Sequence, residues 1–155
     1  MTDVKLCPPS QELIAKLAPN VELADLLELS ALHPGKPVDE ILSDSVAASF
    51  ICLIAVINGE PSAIFGCAIG ENTEGSVGVP WAIFTENCRT YPKVIMQVAL
   101  TYMRQWDEWF PVLANVVDKR NTRAIRWLKR LGFTMAETIT TPEGIPFFAF
   151  ERFNV

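Results

Sequence analysis

The segment from Val112 to Phe133 constrains the fold more than any other part of the chain. Its first part, Val112–Val117, is apolar and rich in β-branched residues, and it is short enough to be a strand buried on both faces. A polar turn follows, and then apolar residues recur at helical spacing at Ala124, Ile125, Leu128 and Leu131. Asn121 suits the N-cap of this helix, and Gly132 suits the position just after its end. The segment therefore predicts a strand, a turn and a helix stopped by glycine.

The rest of the chain continues this alternation of strands and helices. Further strands are predicted at Val4–Cys7, Phe50–Ile57, Ser62–Ile69, Val79–Phe84, Thr134–Thr140 and Pro146–Phe153. Further helices are predicted from Ser10 onward and over Val21–Leu32, Val38–Ala47 and Pro92–Phe110. Asn58 and Gly59 form the dipeptide favoured in tight hairpin turns, while Gly70–Gly78 is predicted as a loop. A chain of 155 residues with this order is expected to form one α/β domain.

The end of the chain resembles the GNAT superfamily of acyl-CoA-dependent N-acyltransferases. The residues in the family's register are Asn121, Ala124, Ile125, Gly132 and Phe133. The resemblance implies a GNAT-like fold over residues 1–155, of the α/β (α+β) class, with a central mixed, mostly antiparallel sheet flanked by helices. Because the same residues serve as caps and packing positions, the resemblance concerns the fold more than the activity.

Two positions depart from the chemistry that the resemblance implies. Family members present backbone N–H groups of a glycine-containing loop to the pyrophosphate of CoA, but Glu86–Lys93 contains no glycine here and Pro92 has no N–H. Many members also carry a tyrosine as general acid where this chain has Leu128, which cannot donate a proton. If CoA binds, the residues implied to contact it are Phe84, Arg89, Lys93 and Asn121.

The sequence offers no convincing catalytic residue. His33 precedes a proline and is typical of a loop, and Glu86 is typical of an exposed loop carboxylate. Serine hydrolase, P-loop and dinucleotide motifs are absent from the sequence. The four cysteines are widely spaced, which argues against a zinc site or a disulfide framework, and Cys52 and Cys67 are predicted to be core residues. No metal and no catalytic group is therefore assigned.

Charge and composition limit the possible partners. The net charge of −5 argues against a general nucleic-acid-binding surface, although basic residues cluster over Lys119–Arg130. Arg123 and Arg126 in this cluster are candidates for contact with packaged DNA or an acidic protein. The chain is 50% hydrophobic, but no stretch is long enough for a membrane span. The first residues lack the pattern of a signal peptide, so export is not expected.

A narrower resemblance is to the GNAT-like internal virion (core) proteins of short-tailed bacteriophages. It covers about Phe50–Arg152, and its sharpest residues are Trp81, Phe84, Thr85, Asn121, Ile125, Arg126, Trp127, Leu128 and Gly132. It implies a catalytically degenerate protein without a cofactor that contacts other phage structural proteins in head assembly or DNA ejection. Such a protein would be located in the host cytoplasm during assembly and then inside the virion. The alternatives are an active N-acetyltransferase that uses acetyl-CoA with a divergent pyrophosphate loop, and a regulatory module that binds CoA or another nucleotide without turnover.

Overall fold

The computed structural model describes residues 2–153 as seven strands and five α-helices. The strands are β1 Val4–Cys7, β2 Ser49–Ile57, β3 Glu60–Ile69, β4 Val77–Phe84, β5 Val112–Asp118, β6 Thr134–Thr140 and β7 Pro146–Phe153. The helices are α1 Gln11–Leu17, α2 Leu23–Leu32, α3 Val38–Ala48, α4 Pro92–Trp109 and α5 Thr122–Arg130. Every strand and helix predicted from the sequence is present, with ends shifted by one or two residues in most cases.

The strands form a single sheet in the order β1-β2-β3-β4-β5-β7-β6. All neighbours are antiparallel except β4 and β5, which are parallel. Parallel neighbours need a crossover connection, and α4 supplies it between these two strands. The expected mixed, mostly antiparallel sheet flanked by helices is therefore confirmed.

Two apolar cores lie on opposite faces of this sheet because successive strand residues point to opposite sides. Ile54, Ile64 and Ile83 pack with α1, α2 and α3 on one face. Ala55 and Phe65 pack with α4 and α5 on the other face. The sheet thus separates the α1–α3 layer from the α4–α5 layer.

The predicted caps and turns are formed as the sequence indicates. The Ser10 hydroxyl accepts a hydrogen bond from the Leu13 N–H at the start of α1. Asn58 and Gly59 have φ values of 50° and 83°, the left-handed pair that a two-residue hairpin requires. Gly132 has a φ of 91° at the second position after α5, where a residue with a side chain would be strained.

Two local predictions were incomplete. The connection between β4 and α4 contains a 3₁₀ turn, Glu86–Thr90, that the sequence did not reveal. The prediction of a fully buried strand at β5 was wrong in its centre, because Ala114, Asn115 and Val116 are only partly buried. This partial exposure marks the place where β5 leaves its neighbour β4.

Candidate functional site

Strands β4 and β5 separate after a very short stretch of pairing. Their register contains only Val77 opposite Val112 and Gly78 opposite Leu113. Pro80 follows in β4 and has no N–H, but its carbonyl oxygen accepts a hydrogen bond of 2.8 Å from Asn115 Nδ2 of β5. Beyond this side-chain bridge the two strands diverge, and a split opens in the middle of the sheet.

Two carboxylates of α2 occupy the wide end of the split. The Phe84 N–H at the end of β4 donates to Asp25 Oδ2 at 2.9 Å. The Asp118 N–H at the end of β5 donates to Glu28 Oε1 at 2.8 Å. Asn121 Nδ2 donates to Asp25 Oδ1 at 3.1 Å. Helix α2 therefore supplies the acceptors for backbone groups that would otherwise pair between the strands.

A cavity of about 350 Å³ passes through this split. Asp25, Glu28 and Leu29 line it on the α1–α3 face of the sheet. Val98, Tyr102 and other residues of α4 and α5 line it on the opposite face. Most of the lining is apolar, and the two carboxylates are the acidic side chains in it. A volume and lining of this kind are typical of a small-molecule site.

The surroundings change the acidity of both carboxylates. Burial raises the pKa of Asp25 from 3.8 to about 6, partly offset by the hydrogen bond from the Phe84 N–H. Burial likewise raises the pKa of Glu28 from 4.5 to about 7, and the nearby Asp25 and Asp118 charges raise it further. The Asn121 amide opposes the shift in both groups. A carboxylate with a pKa near 7 in a cavity is suited to accept a proton from a bound amine.

The four cofactor-contact residues named from the sequence fall into two pairs. Phe84 and Asn121 line the cavity, whereas Arg89 and Lys93 lie outside its lining on the β4–α4 connection. The Phe84 ring packs edge-on against Trp127 with centroids 5.3 Å apart. Asn121 is buried, and its Oδ1 accepts the Ala124 N–H at 3.2 Å as the N-cap of α5. The structure thus brings together two of the four predicted residues.

Arg89 is already engaged in ion pairs. Its Nε lies 3.2 Å from Glu22 Oε2 and 3.3 Å from Glu86 Oε2. Arg123 Nη1 lies 3.4 Å from the same Glu22 oxygen. Both arginine side chains are about half exposed, while Glu22 is buried. Glu22 therefore partly neutralises the charge of Arg123 in the basic cluster over Lys119–Arg130. Arg126, the other candidate in that cluster, is exposed on α5.

The connection between β4 and α4 uses some of its own backbone N–H groups in local hydrogen bonds. The Cys88 N–H bonds to the Thr85 carbonyl at 3.1 Å, and the Tyr91 N–H bonds to the Cys88 carbonyl at 3.0 Å. Pro92, the first residue of α4, has no N–H. The basic side chains on this connection and at the start of α4 are Arg89 and Lys93.

Other predicted positions have limited chemical use. His33 is exposed at the end of α2 and lines the cavity mouth. Leu128, at the position of the family's tyrosine, is buried in the cavity wall. Tyr102 packs against Phe65 with ring centroids 5.4 Å apart. The Tyr91 hydroxyl accepts a hydrogen bond from Asn58 Nδ2 and lies outside the cavity lining.

Sequence reasoning missed Asp25 and Glu28. Their spacing of three residues on a leucine-rich helix was the available signal, because it places both carboxylates on one side of α2. That side is the buried one, as Leu29 shows. A pair of carboxylates on a buried helix face is unusual and is a reason to look for a functional site.

Metal and membrane features are limited in the described residues. Within residues 2–153, no group of three or more His, Cys, Asp or Glu side chains could hold a metal ion. The helices in this range are all too short or too polar to cross a membrane.

The sheet split by β4 and β5, with two helices on one face and three on the other, defines a GNAT acetyltransferase fold. Aminoglycoside acetyltransferase AAC(6')-Ib in complex with coenzyme A has the same fold, with a TM-score of 0.70 and 20% identity over 97% of this chain and 95% of that chain. A GNAT-family acetyltransferase from Streptococcus pneumoniae matches with a TM-score of 0.62 and 14% identity over 97% of this chain and 99% of that chain. Another structure of the aminoglycoside enzyme, with acetyl-CoA bound, matches with a TM-score of 0.68 and 20% identity over 97% and 93% of the two chains.

These similarities concern the fold, since all three identities are low. No family model and no curated protein sequence matches the chain. The comparisons therefore give no support to the resemblance to internal virion proteins.

Proposed function

We propose that the protein is an N-acyltransferase that takes its acyl group from acetyl-CoA or a related acyl-CoA. The observation that carries the proposal is the cavity through the split sheet, with Glu28 at its α2 side. The solved structures with the same fold that contain coenzyme A or acetyl-CoA support this choice of donor. This function is the alternative weighed from the sequence, and the site favours it over a protein without catalysis.

The role of Glu28 follows from its acidity and position. An amine reacts only as the neutral base, and Glu28, with a pKa of about 7, accepts a proton from the incoming ammonium group near neutral pH. The amine nitrogen then attacks the thioester carbonyl carbon. A nitrogen–carbon bond forms and the carbon–sulfur bond breaks. The sulfur leaves as the CoA thiolate and takes up the second proton, which the nitrogen releases as the amide forms.

Departure of the thiolate does not demand the missing tyrosine. A thiol has an ordinary pKa of about 8.5, so its thiolate is a stable leaving group close to neutral pH. Leu128 at the family's tyrosine position is therefore compatible with turnover. Asp25 has a different role, because both of its oxygens accept hydrogen bonds and fix α2 against the end of β4 and the start of α5.

The donor's diphosphate is assigned to the β4–α4 connection. Arg89 and Lys93 supply the positive charge there. Arg123 of α5 is close to Arg89, because both arginines form an ion pair with Glu22. Charged side chains replace the amide cradle that the glycine-free segment lacks. Phe84 and Asn121 are assigned to the wall around the acyl-pantetheine arm.

Calorimetric titration with coenzyme A and acetyl-CoA, combined with an assay of thiol release in the presence of a panel of primary amines, tests the proposal. We expect micromolar binding of both ligands and amine-dependent release of thiol. A bound ligand at 100 times its Kd would also raise the apparent stability by about 2.7 kcal/mol. Absence of binding up to millimolar concentrations would overturn the proposal. Binding without thiol release from any amine would instead favour a CoA-binding regulatory module.

A further inference from the structure

The cavity continues beyond the split beneath the C-terminal half of α4. The residues that line this deep end are Met103, Trp106, Leu131, Phe133 and Phe150. All five are buried, each no more than 5% exposed. A two-carbon acetyl group placed at the split would leave this space empty, and empty apolar space in a protein interior costs stability.

Small side chains in the sheet create room on this face. Ala55 of β2 and Ala63 of β3 are cross-strand partners, and Ala82 of β4 lies opposite Phe65. These three alanines line the same cavity as the aromatic side chains of α4. Alanine methyl groups cannot fill the gap that a helix leaves above a sheet, so space remains for a ligand.

A hydrogen-bond donor stands without a partner at the deep end. Trp106 is only 5% exposed, and its Nε1 has no hydrogen-bond partner among the described residues. A buried indole N–H usually finds a partner, because leaving it unpaired is unfavourable. An oxygen atom carried by a ligand would satisfy this donor.

We infer that the deep end binds the chain of an acyl group longer than acetyl that carries a hydrogen-bond acceptor, such as a 3-hydroxyacyl or 3-oxoacyl chain. The inference rests on the proposed function and specifies its donor. The chain packs against the aromatic and aliphatic wall, and its oxygen accepts the Trp106 N–H. The transfer step is unchanged, since the amine attacks the same thioester carbonyl and CoA leaves as before.

Binding of four ligands to the full chain tests this inference without relying on turnover. The ligands are coenzyme A, acetyl-CoA, hexanoyl-CoA and 3-hydroxyhexanoyl-CoA, titrated by calorimetry in the absence of an amine. Hexanoyl-CoA is expected to bind at least about tenfold more tightly than acetyl-CoA, because four more methylene groups leave water. The 3-hydroxy compound is expected to bind a further three- to tenfold more tightly through its contact with Trp106.

Three variants separate the two parts of the inference. Trp106→Phe removes the N–H and keeps most of the ring, so it should abolish the preference for the hydroxylated chain and preserve that for hexanoyl over acetyl. Met103→Trp fills the deep end and should abolish the chain-length preference while acetyl-CoA still binds. Trp109→Phe, at an exposed position of the same helix, is the matched control and should change none of the affinities.

The outcomes distinguish this inference from the proposed function. Equal affinity for acetyl-CoA and hexanoyl-CoA would overturn the longer-chain assignment and leave an acetyltransferase. An unchanged hydroxyl preference in Trp106→Phe would overturn the role of the indole N–H. Failure of all four ligands to bind would overturn the proposed function and the inference together.

Discussion

At the scale of single residues, Glu28→Gln is the most direct test of catalysis. Glutamine keeps an oxygen that can accept the Asp118 N–H, but it cannot accept a proton. We expect kcat/KM to fall by about 10²- to 10⁴-fold, the usual contribution of a general base. Affinity for CoA should stay the same, because Glu28 is not among the residues assigned to CoA and lies at the α2 side of the cavity. Steady-state kinetics and calorimetry on the same preparations measure both quantities.

The pH profile identifies the base independently. In the wild-type protein the rate should rise with pH through about 7 as Glu28 loses its proton. In Glu28→Gln this rising limb should disappear. Glu40→Gln, which alters an exposed carboxylate on α3, serves as the matched control and should keep the wild-type rate and profile. A full rate in Glu28→Gln with the limb retained would show that another group accepts the proton.

Arg89 is the residue through which diphosphate binding can be tested. Because its guanidinium is half exposed and already paired with Glu22, its loss should weaken binding only moderately. We expect Arg89→Ala to raise the Kd for coenzyme A by about tenfold, the value of one charge-assisted hydrogen bond. Calorimetry measures the change, with Lys129→Ala on the exposed side of α5 as control. An unaltered Kd in Arg89→Ala would place the diphosphate elsewhere.

At the scale of elements, local patterns were sufficient for the helices and strands but not for the site. The periodicity of α4 and the caps of α5 are properties of neighbouring residues, so the sequence predicted them well. The Glu86–Thr90 turn has five residues, which is too short for a periodic pattern. The raised pKa values of Asp25 and Glu28 depend on burial and on partners 59 and 90 positions away in the sequence. No local pattern contains that information.

The contact between β2, β3 and Trp81 depends on the absence of a side chain at Gly66. A Cβ atom at this position would lie 2.5 Å from the Ile51 carbonyl oxygen and 3.1 Å from Trp81 Nε1. The nearest obstacle is backbone, so a strand must move. We expect Gly66→Ala to lower the free energy of unfolding by about 2 kcal/mol, as overpacking does in other cores. Urea unfolding measures it, and an unchanged midpoint would show that β2 yields without cost.

At the scale of the whole molecule, the split is a product of the sheet's order. Strand β5 pairs with β7 along its entire length but with β4 at only two positions. Pro80 and the loop before β4 are visible in the sequence, yet the direction in which β5 turns away depends on packing against β7 and the helices. The resemblance to the GNAT superfamily anticipated the architecture, while the cavity and its carboxylates required the assembled fold.

The raised pKa values of Asp25 and Glu28 also predict how the stability of the whole domain depends on pH. In the unfolded chain Asp25 and Glu28 ionise with ordinary pKa values of 3.8 and 4.5, whereas the folded protein holds their protons up to about pH 6 and 7. Between about pH 4 and 7 the folded state therefore binds more protons than the unfolded state, and stability falls as pH rises. For Asp25, a shift of this size corresponds to a loss on the order of 3 kcal/mol across its window.

Urea unfolding at pH 5.0 and pH 7.5 tests this dependence. We expect the wild-type protein to be more stable at pH 5.0, because Asp25 and Glu28 are mostly protonated there and place little negative charge inside the split. Glu28→Gln removes one titrating group, so its stability should change less between the two pH values than that of the wild type. The pKa of Asp118 shifts in the opposite direction. Burial raises it, but the hydrogen bonds and the charge of Arg120 outweigh burial and lower it. This interaction affects stability mainly below pH 4. Stability that is equal or higher at pH 7.5 would mean that α2 does not bury its carboxylates in the split.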